Sequence, residues 1–253
     1  MGFFLFIMEI STLTLIWILI GILLFPILIK IKAPYGRHTS LKWGITISNK
    51  IGWILMEFPA LIVCPLYYFI FSSNIYTINT IFILLWILHY FNRTIIYPLK
   101  IKTKGKRMPL IIAASALFFN IINGLINGYF LSNTNYLEIN YYILIFGLVI
   151  FFVGLVINIK SDNKLISLRE ENMDNKYVIP NGGLFNYISC PNFFGEIIEW
   201  LGFAIITLNL GSLSFFIWTF INLVPRAISH HKWYKDNFKD YPLNRKAIIP
   251  KII

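Results

Sequence analysis

Charged side chains are what this sequence most lacks. Only 13% of its 253 residues are Asp, Glu, Lys or Arg, about half the share of a soluble domain. Acidic residues are the scarcer kind, 11 against 22 basic ones. Cysteine is nearly absent: Cys64 and Cys190 are too few for a disulfide framework and form no metal-ligand spacing. No GxGxxG turn and no P-loop occurs, so any bound nucleotide is held without the usual glycine-rich turn. Met1 to Glu9 holds no Lys or Arg and no small-residue cleavage site follows, so the first apolar run reads as a retained anchor. Repeats and low-complexity linkers are missing too, and residues 1–253 read as a single domain.

What fills the chain instead is apolar: 57% of residues are hydrophobic. Several runs reach the roughly 20 residues that carry a helix across a bilayer. All 22 Lys and Arg fall in four blocks, Lys30–Lys50, Arg93–Arg107, Lys160–Lys176 and Arg226–Lys251. Between them, the connections near Ser72–Asn79, Ser132–Asn140 and Asn209–Ser212 carry none. The positive-inside rule places the basic blocks in the cytoplasm and the bare connections outside. An all-α integral membrane protein of seven transmembrane helices follows, its N-terminus outside and its C-terminus cytoplasmic. The expected spans are 8–29, 51–71, 76–98, 109–131, 140–160, 192–209 and 212–232. Lys160 to Cys190 is the longest expected cytosolic loop. The net charge of +11 is explained by this cytosolic excess, and no nucleic-acid partner is expected.

Polar residues inside apolar helices are costly, and so they pair, face a cavity or work. Trp53 and Glu57 share a face of the second helix at i, i+4, and Trp86, Tyr90, Arg93 and Tyr97 share one of the third. Asn120, Asn123 and Asn127 stripe the fourth beside Gly124 and Gly128, a small-residue pair that permits close helix contact. Glu196 and Glu199 open the sixth; Arg226, His230 and His231 close the seventh. At about 1.5 Å per residue, Glu57, Tyr90, Glu196 and Arg226 lie roughly 6–12 Å inside the cytosolic boundary. A shared layer of this kind describes a cavity open to the cytoplasm, whereas a channel would be lined through its whole thickness. Blander readings stand beside it: Glu57 with Arg93 as a structural ion pair, the Asn stripe as interhelical hydrogen bonding, His230–His231 as interfacial residues without a metal.

Seven stretches carry a family resemblance: "YGRHTS" at 35–40, "MEFPAL" at 56–61, "HYFNRTIIYP" at 89–98, "NGLINGYFL" at 123–131, "GLVINIKSD" at 154–162, "IPNGGLFNYISCPNFFGEIIEWLGFA" at 179–204 and "RAISHHKWYKDNFKDYPLNRKAIIP" at 226–250. Together they resemble the steroid 5α-reductase (3-oxo-5α-steroid 4-dehydrogenase) family nearly end to end, with the reductase motif region at about 104–253. The resemblance implies seven membrane helices and an NADPH-dependent reductase site opening to the cytosol. It puts the carbonyl-polarising pair on Glu57 and Tyr90. The cofactor positions fall on Asn158, Asp162, Arg169, Asn192, Glu196, Arg226, His230, Tyr234 and Arg245. Trp53, Phe119, Trp218 and Leu223 match positions lining the steroid pocket, and no metal is implied. Three departures from the pattern stand out. Val178 stands where relatives carry an Arg, Ser115 replaces an Arg of animal members, and Cys190–Pro191 replaces small residues, which resembles the "HPNYFGE" of a wider superfamily.

Those residues suit reduction of a carbon–carbon double bond conjugated to a ketone. Hydride goes to the β carbon while Glu57 and Tyr90 donate hydrogen bonds to the carbonyl oxygen; the donor of the α proton is not identified. Arg169 and Arg226 suit phosphates. The expected partners are a lipophilic steroid-like enone and the lipid bilayer, and the expected state is a monomer. The membrane is that of the endoplasmic reticulum in a eukaryote and the cytoplasmic membrane in a bacterium. Three alternatives stay open: a related reductase of enoyl-CoA or polyprenol, a membrane methyltransferase of the isoprenylcysteine type using S-adenosylmethionine, and a proton-coupled transporter.

Overall fold

The computed structural model describes the chain apart from residues 1, 32–33, 35, 40, 76, 103–104, 135–139 and 172–176, and the side chains apart also from those at 2–8, 41 and 170–171. The expected outer connection at 135–139 and the end of the third basic block thus lie outside the described residues. Helices dominate: α1 Gly2–Lys30, α2 Asn49–Phe71, α3 Ile78–Phe91, α4 Tyr97–Lys100, α5 Leu110–Asn133, α6 Tyr141–Glu171, α7 Pro191–Thr207 and α8 Leu210–Asn237. Among the described residues, six stretches are long and apolar enough to cross a membrane: Glu9–Lys30, Asn49–Phe71, Ile78–Lys100, Leu110–Asn133, Tyr141–Arg169 and Leu210–Asn237. Their apolar side chains face outward, with Leu23 64%, Phe118 62% and Phe146 60% exposed, as in a lipid-facing surface. The seventh expected span, 192–209, is a helix but a short one. Its 17 residues reach about 25 Å, less than the roughly 30 Å hydrocarbon core, and they include Glu196 and Glu199.

The chain divides into two compact units, the first comprising Met1–Trp17, Ala33–Tyr141 and Thr207–Phe215. Within it, Gly124 and Gly128 of α5 lie against α2. A Cβ on Gly128 would meet Tyr67 Cβ at 2.7 Å and Cys64 O at 3.0 Å, so the small residues do let the two helices close. The Asn stripe serves the same unit. Asn120 donates to Met56 O (2.6 Å) and Trp17 Nε1 donates to Asn123 Oδ1 (3.3 Å). Asn79 at the start of α3 donates to Leu131 O and Thr134 O, 2.7 and 2.8 Å, satisfying carbonyls at the end of α5.

Two features of this unit depart from a pure run of helices. Strands β1 Thr46–Ser48 and β2 Arg107–Pro109 pair antiparallel, with Ile47 opposite Met108, and bury Met108 beside Met56 and Ala113. Strands of three residues carry too little alternation to be read from sequence. The third span is also interrupted by a π segment, Asn92–Ile96, in which Tyr97 N donates to Asn92 O. Pro98 explains it: lacking an N–H, proline cannot bond the carbonyl four residues back, and its ring crowds that carbonyl.

The second unit comprises Ile18–Lys32, Tyr142–Ile206 and Phe216–Ile253. Helix α6 runs eleven residues past the expected end at 160, to Glu171, so the expected loop is shorter. Lys160 and Lys164 end the hydropathic run, yet Asn158, Asp162 and Ile166 remain buried at four-residue spacing, and that packed face continues the helix. Gly147 and Gly154 on α6, and Gly195 and Gly202 on α7, are each two turns apart. A Cβ on Gly154 would lie 2.6 Å from both Glu199 Cα and Gly195 O, and one on Gly202 would lie 2.7 Å from Gly147 O. The two backbones touch along this seam.

Candidate active site

In the first unit, Glu57 and Arg93 meet. Arg93 Nη2 lies 3.9 Å from Glu57 Oε1. The guanidinium sits 5.0 Å from the ring centres of both Trp53 and Tyr97, which themselves pack edge to face at 5.2 Å. Such an aromatic cradle fixes a cation through both burial and ring electrostatics. Arg93 falls on the π segment, a geometry that recurs at functional sites. Tyr90 is 3% exposed and packs at 5.0 Å on Trp86, whose Nε1 donates to Ala60 O at 2.8 Å. Phe119 is half-buried, 5.9 Å from the Trp17 ring.

In the second unit, α6 and α7 assemble a polar cluster across the glycine seam. Asn158 donates through Nδ2 to Asn192 O (3.0 Å) and to Glu196 Oε2 (3.4 Å), and Asn192 donates to Asp162 Oδ1 (2.9 Å). Four of the sequence-chosen residues are therefore in mutual contact. Asn158 is buried, and its Oδ1 accepts no hydrogen bond among the described residues. A buried acceptor of this kind is expensive to leave unmade and is available to a donor from outside the protein. Arg226 is half-buried with its guanidinium 5.0 Å over the Phe193 ring, and His230 packs on the same ring at 5.8 Å. Arg169 stands exposed near the end of α6. Glu199, one turn beyond Glu196, is fully buried.

Arg245 bonds the protein through both terminal nitrogens, while its buried Nε has no hydrogen-bond partner among the described residues. Its Nη1 donates to Pro180 O (3.1 Å), its Nη2 to Asn181 Oδ1 (3.2 Å), and its guanidinium lies 5.0 Å over the Tyr241 ring. Tyr241 in turn stacks on Tyr234, 5.3 Å apart and 7° from parallel. Burial pushes the Tyr241 hydroxyl up from its usual range, against the opposing pull of the Ser189 hydrogen bond and Arg245, so it remains a proton donor. Trp218 is buried where α8 meets Gly21 of α1. Leu223 belongs to an apolar cluster with Cys190, Phe193, Ile197 and Ile248. Sequence reasoning passed over Ser189, Tyr241 and Asn181, whose side-chain bonds to His231, Ser189 and Arg245 cross 42 to 64 residues and leave no local signal.

Six long helices with apolar outer faces, and a polar cluster packed inside each unit, mark a multi-pass membrane protein. Residues 106–253 match the family profile described as 3-oxo-5-alpha-steroid 4-dehydrogenase. Steroid 5-alpha-reductase DET2 of Arabidopsis thaliana is 43% identical over 233 residues, 87% of each chain. The DET2 of Solanum lycopersicum is 44% identical over 227 residues, 86% of this chain and 87% of its own. At 35% over 227 residues, 87% of this chain and 86% of its own, 3-oxo-5-alpha-steroid 4-dehydrogenase 1 of Homo sapiens is a more distant relative. The chain belongs to the 3-oxo-5-alpha-steroid 4-dehydrogenase family, oxidoreductases acting on CH–CH bonds.

Proposed function

We propose that this protein reduces the carbon–carbon double bond of a 3-oxo-Δ4-steroid or similar lipophilic enone, with NADPH as reductant. The relatives named steroid 5-alpha-reductase and 3-oxo-5-alpha-steroid 4-dehydrogenase support the reaction. The observation that carries the cofactor is the Asn158–Asn192–Asp162–Glu196 cluster with its unused buried acceptor. An amide or ribose hydroxyl donor fits Asn158 Oδ1, the half-buried Asn192 and Glu196 offer further polar contacts, and Arg169 and Arg226 suit phosphates. His230, Tyr234 and Arg245 extend this set. The chemistry NADPH supplies when bound is hydride donation to the β carbon.

On the substrate side, Tyr90 donates a hydrogen bond to the enone oxygen, and Glu57 does so in its protonated form, so that charge on that oxygen is stabilised as the enolate develops. Arg93 Nη2, 3.9 Å from Glu57 Oε1, orients the Glu57 carboxyl group within this pocket. For the steroid contacts, Trp53, Phe119, Trp218 and Leu223 are carried by the family resemblance alone. The protein acts as a monomer with seven spans, N-terminus outside and C-terminus in the cytoplasm, in the endoplasmic reticulum of a eukaryote or the cytoplasmic membrane of a bacterium.

Purified protein with NADPH and a panel of a 3-oxo-Δ4-steroid, an enoyl-CoA and a polyprenol tests the assignment, following NADPH loss and product mass. The steroid product gains two hydrogens. Glu57→Gln and Tyr90→Phe each lower turnover about 10²–10³-fold while NADPH affinity holds. Binding of S-adenosylmethionine without binding of NADPH overturns the reading.

A further inference from the structure

We propose that Ser189 is a positioning residue for the cofactor: its single hydroxyl locks His231 and Tyr241 against the start of α7 and so fixes the polar face carrying Asn192 and Glu196. The inference rests on the NADPH reading above. Ser189 is 4% exposed, and its Oγ has three partners: Lys246 O at 3.0 Å, Tyr241 Oη at 2.6 Å and His231 Nδ1 at 2.6 Å. A serine hydroxyl offers one proton and two lone pairs. The Lys246 carbonyl can only accept, so the proton goes there, and Tyr241 and His231 must both donate into Oγ. Every hydrogen-bonding position of Ser189 is then used, and His231 is fixed with its proton on Nδ1.

Main-chain bonds join the same segments. Ser189 N donates to Lys246 O (2.8 Å), Cys190 N to Ala247 O (3.1 Å) and Lys246 N to Tyr187 O (2.9 Å). Arg245 adds the link to Pro180 and Asn181, and the Tyr241 stack reaches Tyr234. One hydroxyl thus sits where the segment before α7, the end of α8 and the C-terminal stretch converge, three residues ahead of Asn192. Its removal leaves two donors facing a methyl group in a buried site, and they relax by turning away. The Tyr241–Tyr234 stack and the first turn of α7 lose their reference point. The reacting carbonyl contacts belong to Glu57 and Tyr90, so the effect falls on cofactor binding rather than on the chemical step.

The test is steady-state kinetics and NADPH binding on the full chain in detergent, with the steroid enone saturating. Ser189→Ala raises KM and Kd for NADPH about 5- to 30-fold, the equivalent of losing one or two buried hydrogen bonds, while kcat at saturating NADPH stays within about twofold. Tyr241→Phe moves the same constants in the same direction by less, and the double variant is less than additive because both changes break one contact. Ser132→Ala, whose hydroxyl donates to Tyr129 O and accepts from Asn133 Nδ2 at the end of α5, is the serine control and leaves both constants alone. A folded Ser189→Ala protein with wild-type NADPH affinity, a fall in kcat alone, or full additivity overturns the role. If Ser189→Ala does not fold, Tyr241→Phe decides by the same criterion. Wild-type protein that binds no NADPH rejects the cofactor reading itself, a result distinct from unchanged affinity in the variants.

Discussion

Gly154→Ala tests whether the α6–α7 seam sets the geometry of the polar cluster. The added Cβ would lie 2.6 Å from Glu199 Cα and Gly195 O, where carbon atoms normally rest about 3.5–4.0 Å apart. Both neighbours are backbone, so no rotamer change relieves the clash and the helices must separate by roughly 1 Å. Asn158→Asn192 O and Asn192→Asp162 Oδ1, at 3.0 and 2.9 Å, then stretch to about 4 Å, beyond hydrogen-bonding distance. Overpacking costs about 1–3 kcal/mol and each lost bond about 1 kcal/mol, so the expected loss is about 3–5 kcal/mol. For a chain of this size that is roughly 6–20 °C in Tm, accompanied by weaker NADPH binding. Thermal unfolding in detergent and an NADPH titration read both quantities. Gly147→Ala is the graded comparison: its nearest neighbours are the Ile206 and Ile205 side chains, Cγ2 atoms at 2.5 and 3.0 Å, which can yield, and the loss is smaller. A Gly154→Ala protein within about 2 °C of wild type and with unchanged NADPH affinity would refute the argument.

Other substitutions probe separate parts of the molecule. Asn192→Ala or Glu196→Ala weakens NADPH binding by about 1–3 kcal/mol, measured by titration of protein shown to be folded. Asn79→Ala strands the Leu131 and Thr134 carbonyls and costs about 1–3 kcal/mol of stability; the same Tm as wild type would show that these bonds are dispensable. Asn209 accepts from Ser212 N at 2.9 Å at the start of α8, so Asn209→Ala costs about 1 kcal/mol as a lost cap, read by the same thermal assay. For topology, a cysteine at Ser73 reacts with an impermeant reagent from outside and one at Lys102 does not; reaction at Lys102 reverses the orientation.

Several elements were legible because they depend on composition or spacing within one segment. The apolar runs announce membrane helices through the cost of burying backbone without water, and six of the seven expected spans coincide with helices long enough to cross. Gly124 and Gly128 declared a close contact through their spacing, and α2 fills it. Polar residues stranded in apolar runs marked both clusters, because an amide or carboxylate there needs a partner. Arg93 beside Glu57 and Asn192 beside Asp162 supply such partners. Hydropathy misjudged the end of α6, since it registers the lysines at 160 and 164 and not the buried face between them.

The amino-acid sequence by itself determined the inside-out character of the protein, the order of its long helices and the residue types available to a reductase site, since each is a property of one stretch of chain. Only tertiary structure decided which stretches meet. The glycines at 147 and 154 acquire meaning from those at 195 and 202, β1 exists because β2 lies opposite, and Ser189 becomes a junction through residues 42, 52 and 57 positions away. Such pairings depend on the fit of two surfaces and on closing a long loop between them, a cost and a gain that no local pattern records.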